Sequence, residues 1–166
     1  MNIGLNTKRL TLRLYQENDL DDVAVLNADS DVREFFPGGT LNKAQTKERM
    51  NELMSFYKNY GLPCFVIHEK ETGEFIGRCG FGPIERNEIE VGYLIAKKHW
   101  GKGYATEVLI SLLGWAKDHI KADYILAFAP VNHMASHRVM QKAGMKYFKT
   151  DIGHGVSCKF YKCLMR

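Results

Sequence analysis

Residues 89 to 129 leave the chain few choices of fold. A β-rich run, Ile89 to Ile95, leads through the turn His99-Trp100-Gly101-Lys102-Gly103-Tyr104-Ala105-Thr106 into a helix-like run ending near His119, and a short apolar strand, Tyr124 to Ala129, follows. Ala105, Val108, Leu109, Leu112, Leu113 and Ala116 recur at helical spacing and form a broad apolar stripe. Two strands joined by such a helix lie parallel, through a right-handed crossover, with the stripe packed on the sheet. The turn has a second consequence. Two glycines opening a helix leave several backbone N–H groups unpaired at the positive end of the helix dipole, where an anion such as a phosphate settles.

The flanking segments extend this unit. Leu10, Leu12 and Leu14 alternate with Thr11 and Arg13 as in a half-buried strand, and Asn18 or Asp19 caps a helix carrying Leu20, Val23 and Leu26. After the breaker-rich Phe35-Phe36-Pro37-Gly38-Gly39, the spacing of Met50, Leu53, Met54 and Tyr57 predicts a second amphipathic helix. Cys64 to Glu69 and Phe75 to Phe81 form a hairpin around a turn containing Gly73. Past the crossover, a helix with Ala135, Val139, Met140 and Ala143 on one face stops at Gly144, and strands Met145 to Asp151 and Val156 to Leu164 flank Gly153-His154-Gly155. The reading is a single α+β domain over residues 1–166, with one mixed central β-sheet flanked by helices. Ligands of such sheets sit at the carboxyl ends of diverging strands, where the glycine turn lies.

Composition removes several function classes. The balance of +4 comes from basic residues scattered along the chain rather than gathered in a block, so nucleic acid is not indicated. Cys64, Cys79, Cys158 and Cys163 show neither a C-x-x-C pair nor zinc-site spacing and read as reduced packing thiols. His133 and His137 stand at i, i+4 but lack a third ligand at a telling spacing, so no metal is expected. No segment approaches the ~20 apolar residues of a membrane span, and Met1-Asn2-Ile3-Gly4 lacks a signal-peptide core. These readings describe a soluble, cytoplasmic protein and leave the oligomeric state open, a homodimer included.

Three phosphate ligands compete for the turn. A nucleoside triphosphate loop needs G-x-x-x-x-G-K-[ST], and Tyr104 stands where the lysine should be. A dinucleotide fingerprint finds Gly101 and Gly103 but Thr106 in place of its third glycine, and Asp123 precedes its strand instead of ending it. The third ligand is the pyrophosphate of coenzyme A. Here the run Glu90-Val91-Gly92-Tyr93-Leu94-Ile95 followed by Trp100-Gly101-Lys102-Gly103-Tyr104-Ala105-Thr106-Glu107 resembles the acyl-CoA-binding motif of the GNAT N-acetyltransferase superfamily, particularly its RimJ/RimL-type branch. Asn132 to Met145 resembles the second family motif through Ser136, Val139, Lys142, Gly144 and Met145, and Arg9-Leu10-Thr11-Leu12-Arg13 resembles the opening of that branch.

The resemblance implies a GNAT fold and transfer of an acetyl group from acetyl-CoA to a primary amine, such as a protein N-terminal α-amine. It implies that Gly101, Lys102, Gly103, Tyr104, Ala105 and Thr106 hold the pyrophosphate and that Tyr93, Leu94 and Ile95 pair through their main chain with the pantetheine. The second motif is displaced by one residue, leaving either Asn132 or His133 to meet that arm. Where many members carry a tyrosine that reprotonates the leaving thiolate, this chain has Met140. Strand alternation puts Glu90 beside Gly92, making Glu90 the candidate base and otherwise a solvated strand residue. Ser136 falls inside an apolar stripe and so needs a partner: a helix carbonyl, or the coenzyme's thiol in place of the missing tyrosine. Phe35 and Phe36 either wall the acceptor site or anchor their loop. The alternatives are a small-amine acetyltransferase of polyamine or aminoglycoside type, and a CoA- or nucleotide-binding module without catalysis.

Overall fold

The computed structural model describes residues 3–166, so Met1 and Asn2 of the N-terminal stretch read above lie outside the described residues. In chain order the elements are β1 (Gly4–Asn6), β2 (Leu10–Leu14), α1 (Leu20–Ala28), α2 (Lys43–Tyr60), β3 (Cys64–Glu69), β4 (Phe75–Pro83), β5 (Ile89–Ile95), α3 (Tyr104–His119), β6 (Tyr124–Pro130), α4 (Met134–Lys142), β7 (Lys146–Gly153) and β8 (Val156–Leu164). The strands form one mixed sheet in the order β1-β2-β3-β4-β5-β6-β8-β7. Strand β1 was not anticipated. It pairs Gly4 with Arg13 and Asn6 with Thr11, and three residues are too few for alternation to register in the sequence.

The helices divide between the two faces of the sheet. On one face, Val108, Leu109 and Leu112 of α3 are fully buried with Phe65 and Ile67 of β3, Ile76 of β4 and Ile125 of β6. On the other, Val23 of α1 and Met50 and Leu53 of α2 pack on Cys64 and Val66. Helix α2 begins at a capping box, with the Asn42 side chain accepting from the Gln45 N–H and Gln45 returning the bond, and stops at Gly61 in the left-handed region. Met54, read as part of its apolar face, is instead exposed, and Thr46 takes its place in the buried set. Ala135 of α4 is likewise exposed; the side buried against the core carries His137 and Met140.

The crossover is parallel as expected, but β5 and β6 share a single bridge, Glu90 with Leu126. At their amino ends the Tyr124 hydroxyl donates to a Glu88 carboxylate oxygen at 2.5 Å and keeps the strands together. Beyond Glu90 they separate, because β6 follows β8 in unbroken antiparallel register from Tyr124–Leu164 to Pro130–Cys158.

Two carboxylates brace this frame. Asp19 does not cap α1; its side chain turns back to accept from the Gln16 N–H at 2.8 Å and from both guanidinium nitrogens of Arg13 at 2.9 and 2.7 Å. Glu107, in the first turn of α3, accepts from the Arg9 side chain at 2.8 Å, the Arg9 N–H at 2.9 Å and the Thr7 hydroxyl, tying the β1–β2 turn to the helix. Burial alone would raise both carboxyls, but these hydrogen bonds outweigh it and hold both below their ordinary range. A carboxyl with a depressed folded-state pKa contributes stability that is complete above its unfolded pKa, about 4, and lost as pH falls below it. Thermal unfolding followed from pH 7 to pH 2 should show a melting temperature steady to about pH 5 and falling below it. In Asp19→Asn/Glu107→Gln the pH 7 value should drop and the acid slope should become shallower.

Candidate active site

Where β5 and β6 part, the molecule has a cleft of about 900 Å³. Gly92 to Ile95 form one wall of its throat and Ala129 and Pro130 the other. Tyr93, Leu94 and Ile95 are in register with Cys79, Arg78 and Gly77 of β4, while the opposite edge of β5 has no strand partner beyond Glu90 among the described residues. That edge offers free main-chain groups to an extended ligand. Alternation along β5 splits its side chains. Glu90, Gly92 and Leu94 face the side of α1 and α2, where Leu94 packs on Leu26 and Val32; Val91, Tyr93 and Ile95 face α3.

At one end of the cleft lies the glycine turn. Gly101 and Gly103 both adopt positive φ, 75° and 80°, which a residue with a Cβ resists. Among the described residues the N–H groups of residues 101 to 106 meet no protein acceptor, and the first helical bond is Glu107 N–H to the Gly103 carbonyl at 3.1 Å. The Glu107 carboxylate would oppose an anion at this helix start, but Arg9 neutralises it and the Thr7 hydroxyl donates to it. The Arg9 guanidinium lies over the Tyr104 ring at 4.4 Å, and its Nη2 is 3.5 Å from where a Cβ on Gly103 would sit. Sequence reasoning missed Arg9 because only folding of the first hairpin brings it beside the turn. The Trp100 indole donates to the Ile95 carbonyl at 2.8 Å and fixes the approach to the turn. Lys102 and Asn132 stand outside the cleft wall, whereas Gly101, Gly103, Tyr104, Ala105 and Thr106 line it.

Two polar groups face each other across β5. On the α3–α4 side the Tyr93 hydroxyl and Ser136 Oγ are 2.9 Å apart. The partner that Ser136 requires is therefore the phenol. Burial pushes Tyr93 up to about 12 against the opposing effect of the Ser136 hydrogen bond, so the phenol stays protonated. On the other side Glu90 lies 3.7 Å from His154 Nε2, and this carboxylate raises the His154 imidazole above its ordinary range despite partial burial. Glu90 is opposite Gly82 on β4, which leaves the carboxylate open to the cleft.

The Acetyltransferase (GNAT) domain description matches residues 9–146. The chain belongs to the GNAT acetyltransferase family. It is 35% identical over 150 residues to the uncharacterised protein YkkB of Bacillus subtilis strain 168, covering 88% of this chain and 87% of that one. A GNAT-family acetyltransferase from Bacillus anthracis superposes with a TM-score of 0.81 at 26% identity, covering 98% of this chain and 99% of the other. At lower identity, where the likeness shows the fold alone, neighbours include RimL, the ribosomal L7/L12 α-N-protein acetyltransferase in complex with coenzyme A (TM-score 0.83, 13% identity, 98% of both chains). The spermidine N-acetyltransferase of Vibrio cholerae superposes with a TM-score of 0.76 at 19% identity, covering 94% of this chain and 95% of that one.

In this GNAT cleft the displaced second motif has a structural outcome. His133, not Asn132, reaches the wall, and its ring stacks on Phe35 with centroids 4.0 Å apart and planes 8° from parallel. Burial, then the neighbouring His137, lowers the His133 imidazole to about 4. His137 is buried and donates Nε2–H to the Pro130 carbonyl at 2.9 Å, fastening α4 to the end of β6. No group of three potential metal ligands occurs among the described residues. The aromatic pair divides its duties: Phe35 meets His133, and Phe36 lies under the Arg33 guanidinium at 4.5 Å. An NMR titration of the six histidines should show His133 neutral through the physiological range with a midpoint near about 4. Phe35→Ala, which uncovers the ring, should move that midpoint up toward about 6.5.

Proposed function

We propose that the protein transfers the acetyl group of acetyl-CoA to a primary amine, with Glu90 as the amine-side base and the Tyr93–Ser136 pair on the thiol side. The observation that carries this reading is the placement of Glu90 and Tyr93 on opposite faces of one unpaired strand edge. An amine arriving from the α1–α2 side meets the carboxylate, while a thiol leaving toward α4 meets the hydroxyl pair. When bound, acetyl-CoA supplies an activated thioester, whose C–S bond breaks as the N–C bond of the amide forms. The free N–H groups of residues 101 to 106, with Arg9 beside them, hold the pyrophosphate. The main chain of Tyr93, Leu94 and Ile95 receives the pantetheine and orients the carbonyl.

Glu90 takes the proton that the amine loses, directly or through a water, and passes it to solvent. An α-amine near ~8 needs only modest help, whereas a lysine-like amine near ~10.4 needs more. Tyr93 and Ser136 share one hydrogen bond, so whichever hydroxyl accepts it keeps its own hydrogen free to point into the cleft. A phenol near 12 does not surrender its proton to a thiolate whose acid is near ~8.5. The pair instead stabilises the departing sulfur by hydrogen bonding, and solvent completes the thiol. Asn132 has no part in this scheme beyond shaping the β6–α4 turn, where its carbonyl accepts from the Met134 N–H. The RimJ/RimL-type motifs favour an α-amine acceptor, and the reduced cysteines suit action in the cytoplasm.

Gly103→Asp, which adds charge and a side chain at a positive-φ position, should weaken acetyl-CoA binding at least about tenfold by calorimetry, or about 1.4 kcal/mol. In a thiol-release assay Glu90→Gln, Tyr93→Phe and Ser136→Ala should each lower kcat by about 10²-fold while acetyl-CoA affinity stays within about twofold. The double variant Tyr93→Phe/Ser136→Ala should be no slower than the worse single one, because the two hydroxyls act as a unit. Tight acetyl-CoA binding with no thiol release toward any amine would leave the non-catalytic binding module as the correct reading.

A further inference from the structure

The acceptor side of the cleft is lined by guanidinium groups. Arg33 from the loop after α1, Arg49 from α2 and Arg78 from β4 all reach it. Arg49 pairs with Glu52 at 2.6 Å. Arg33 and Arg78 have no carboxylate within 4.0 Å among the described residues, although Arg33 is only 7% exposed and Arg78 Nε is buried without a hydrogen-bond partner. The Arg33 guanidinium has neutral partners, the Gly39 carbonyl at 2.9 Å and the Phe36 ring at 4.5 Å. The carboxylates along the same wall pair elsewhere: Asp31 is held by Lys97 at 2.6 Å, Glu34 is exposed at the rim, and Glu90, which acts on Arg78 only through its charge at a distance, faces His154. Burial, then the charges of Arg78 and Arg49, lower Arg33 to about 10, which leaves it a cation at neutral pH; burial also lowers the half-buried Arg78.

An unpaired buried charge is a substantial cost to a fold, and two of one sign in one wall call for a counterion from outside. Guanidinium forks match the planar or tetrahedral oxygens of carboxylate and phosphate. The register sets the distance. Gly82 is opposite Glu90, Gly80 opposite Gly92 and Arg78 opposite Leu94, so Arg78 and Glu90 share a face and stand four residues apart along the strands, about 13 Å between backbone positions. The two side chains close part of that span. Phe35 and Phe56 contribute apolar wall to the same chamber.

We propose that the amine acceptor is a small molecule bearing a carboxylate or phosphate, which docks on Arg33 and Arg78 while its amine lies at Glu90. The inference rests on the acetyl-transfer reading above and names its substrate class. It sets this cleft apart from one suited to a polyamine, whose second cation would meet Arg78.

The test is a thiol-release screen of matched pairs: glycine, β-alanine, 4-aminobutyrate and 6-aminohexanoate against the alkylamines of equal length, phosphoethanolamine against ethanolamine, and spermidine and a neutral tripeptide amide as the outside arms. Anionic members should exceed their partners at least about tenfold in kcat/KM, the carboxylate and phosphate arms separating the two anion sources. In Arg78→Met that ratio should fall to near one while acetyl-CoA affinity stays within about twofold. The melting temperature of Arg78→Met should be equal to or above that of the parent, since an unpaired buried charge is removed. Thermal stabilisation of the acetyl-CoA-loaded protein by the same compounds gives a second readout should turnover be slow: anionic members should stabilise the parent and not the variant. Preference for spermidine, the tripeptide amide or the alkylamines, equal stabilisation by both members of each pair, or a melting temperature that falls in Arg78→Met would overturn the assignment while leaving acetyl transfer intact. Failure to bind acetyl-CoA would remove the acetyl-transfer reading itself.

Discussion

Everything that makes this molecule more than a packed sheet depends on how little β5 and β6 share. Glu90 and Leu126 form their one bridge, and the Tyr124–Glu88 bond closes the strands behind it. Ahead of it the strands are drawn to different partners, β5 to β4 and β6 to β8, each in continuous antiparallel register. A parallel pair is slightly weaker per residue than an antiparallel one, so two strands already satisfied on their outer edges lose little by separating. What they leave is a strand edge with free main-chain groups inside the domain, an arrangement that is costly unless a ligand or water fills it.

The split also explains how one short strand presents two different chemical groups to one cleft. Since β5 is open along one edge, side chains on both of its faces reach the same cleft. The side toward α3 and α4 is largely apolar, and there the Tyr93 phenol is buried and kept protonated beside Ser136. The side toward α1 and α2 carries Glu90, 3.7 Å from the His154 imidazole whose pKa it raises. Burial and charge thus sort a protonated phenol and a carboxylate to opposite sides of one backbone. His137 keeps the far wall in place through the Pro130 carbonyl, so the separation of α4 from β5 is set by a hydrogen bond rather than by packing alone.

Electrostatically the cleft is positive at both ends for different reasons. At the glycine turn the charge is fractional and comes from backbone N–H groups at the start of α3, with Glu107 neutralised by Arg9. On the side toward α1 and α2 it is formal and comes from the buried Arg33 and the half-buried Arg78, neither with a carboxylate within 4.0 Å among the described residues. The first arrangement suits a diffuse pyrophosphate; the second suits a compact anionic group.

Local periodicity and turn chemistry alone placed β3, β5, α3 and β8, which begin and end where alternation, the helical stripe and the glycines put them, though not the three-residue β1. They also determined the glycine turn and the parallel crossover, since both are encoded within some forty consecutive residues. The family resemblance drew on this stretch together with Asn132 to Met145 and the opening Arg9 to Arg13. Tertiary structure alone decided which groups meet. Ser136 found Tyr93 rather than a helix carbonyl, His133 rather than Asn132 reached the cleft, Arg9 joined the turn, and Arg33 and Arg78 converged from a loop and a strand. The physical reason is one of range. Backbone conformation is set by neighbours a few residues away, whereas the partner of a polar side chain is set by which distant strand or helix burial brings beside it, and spacing along the chain carries no record of that.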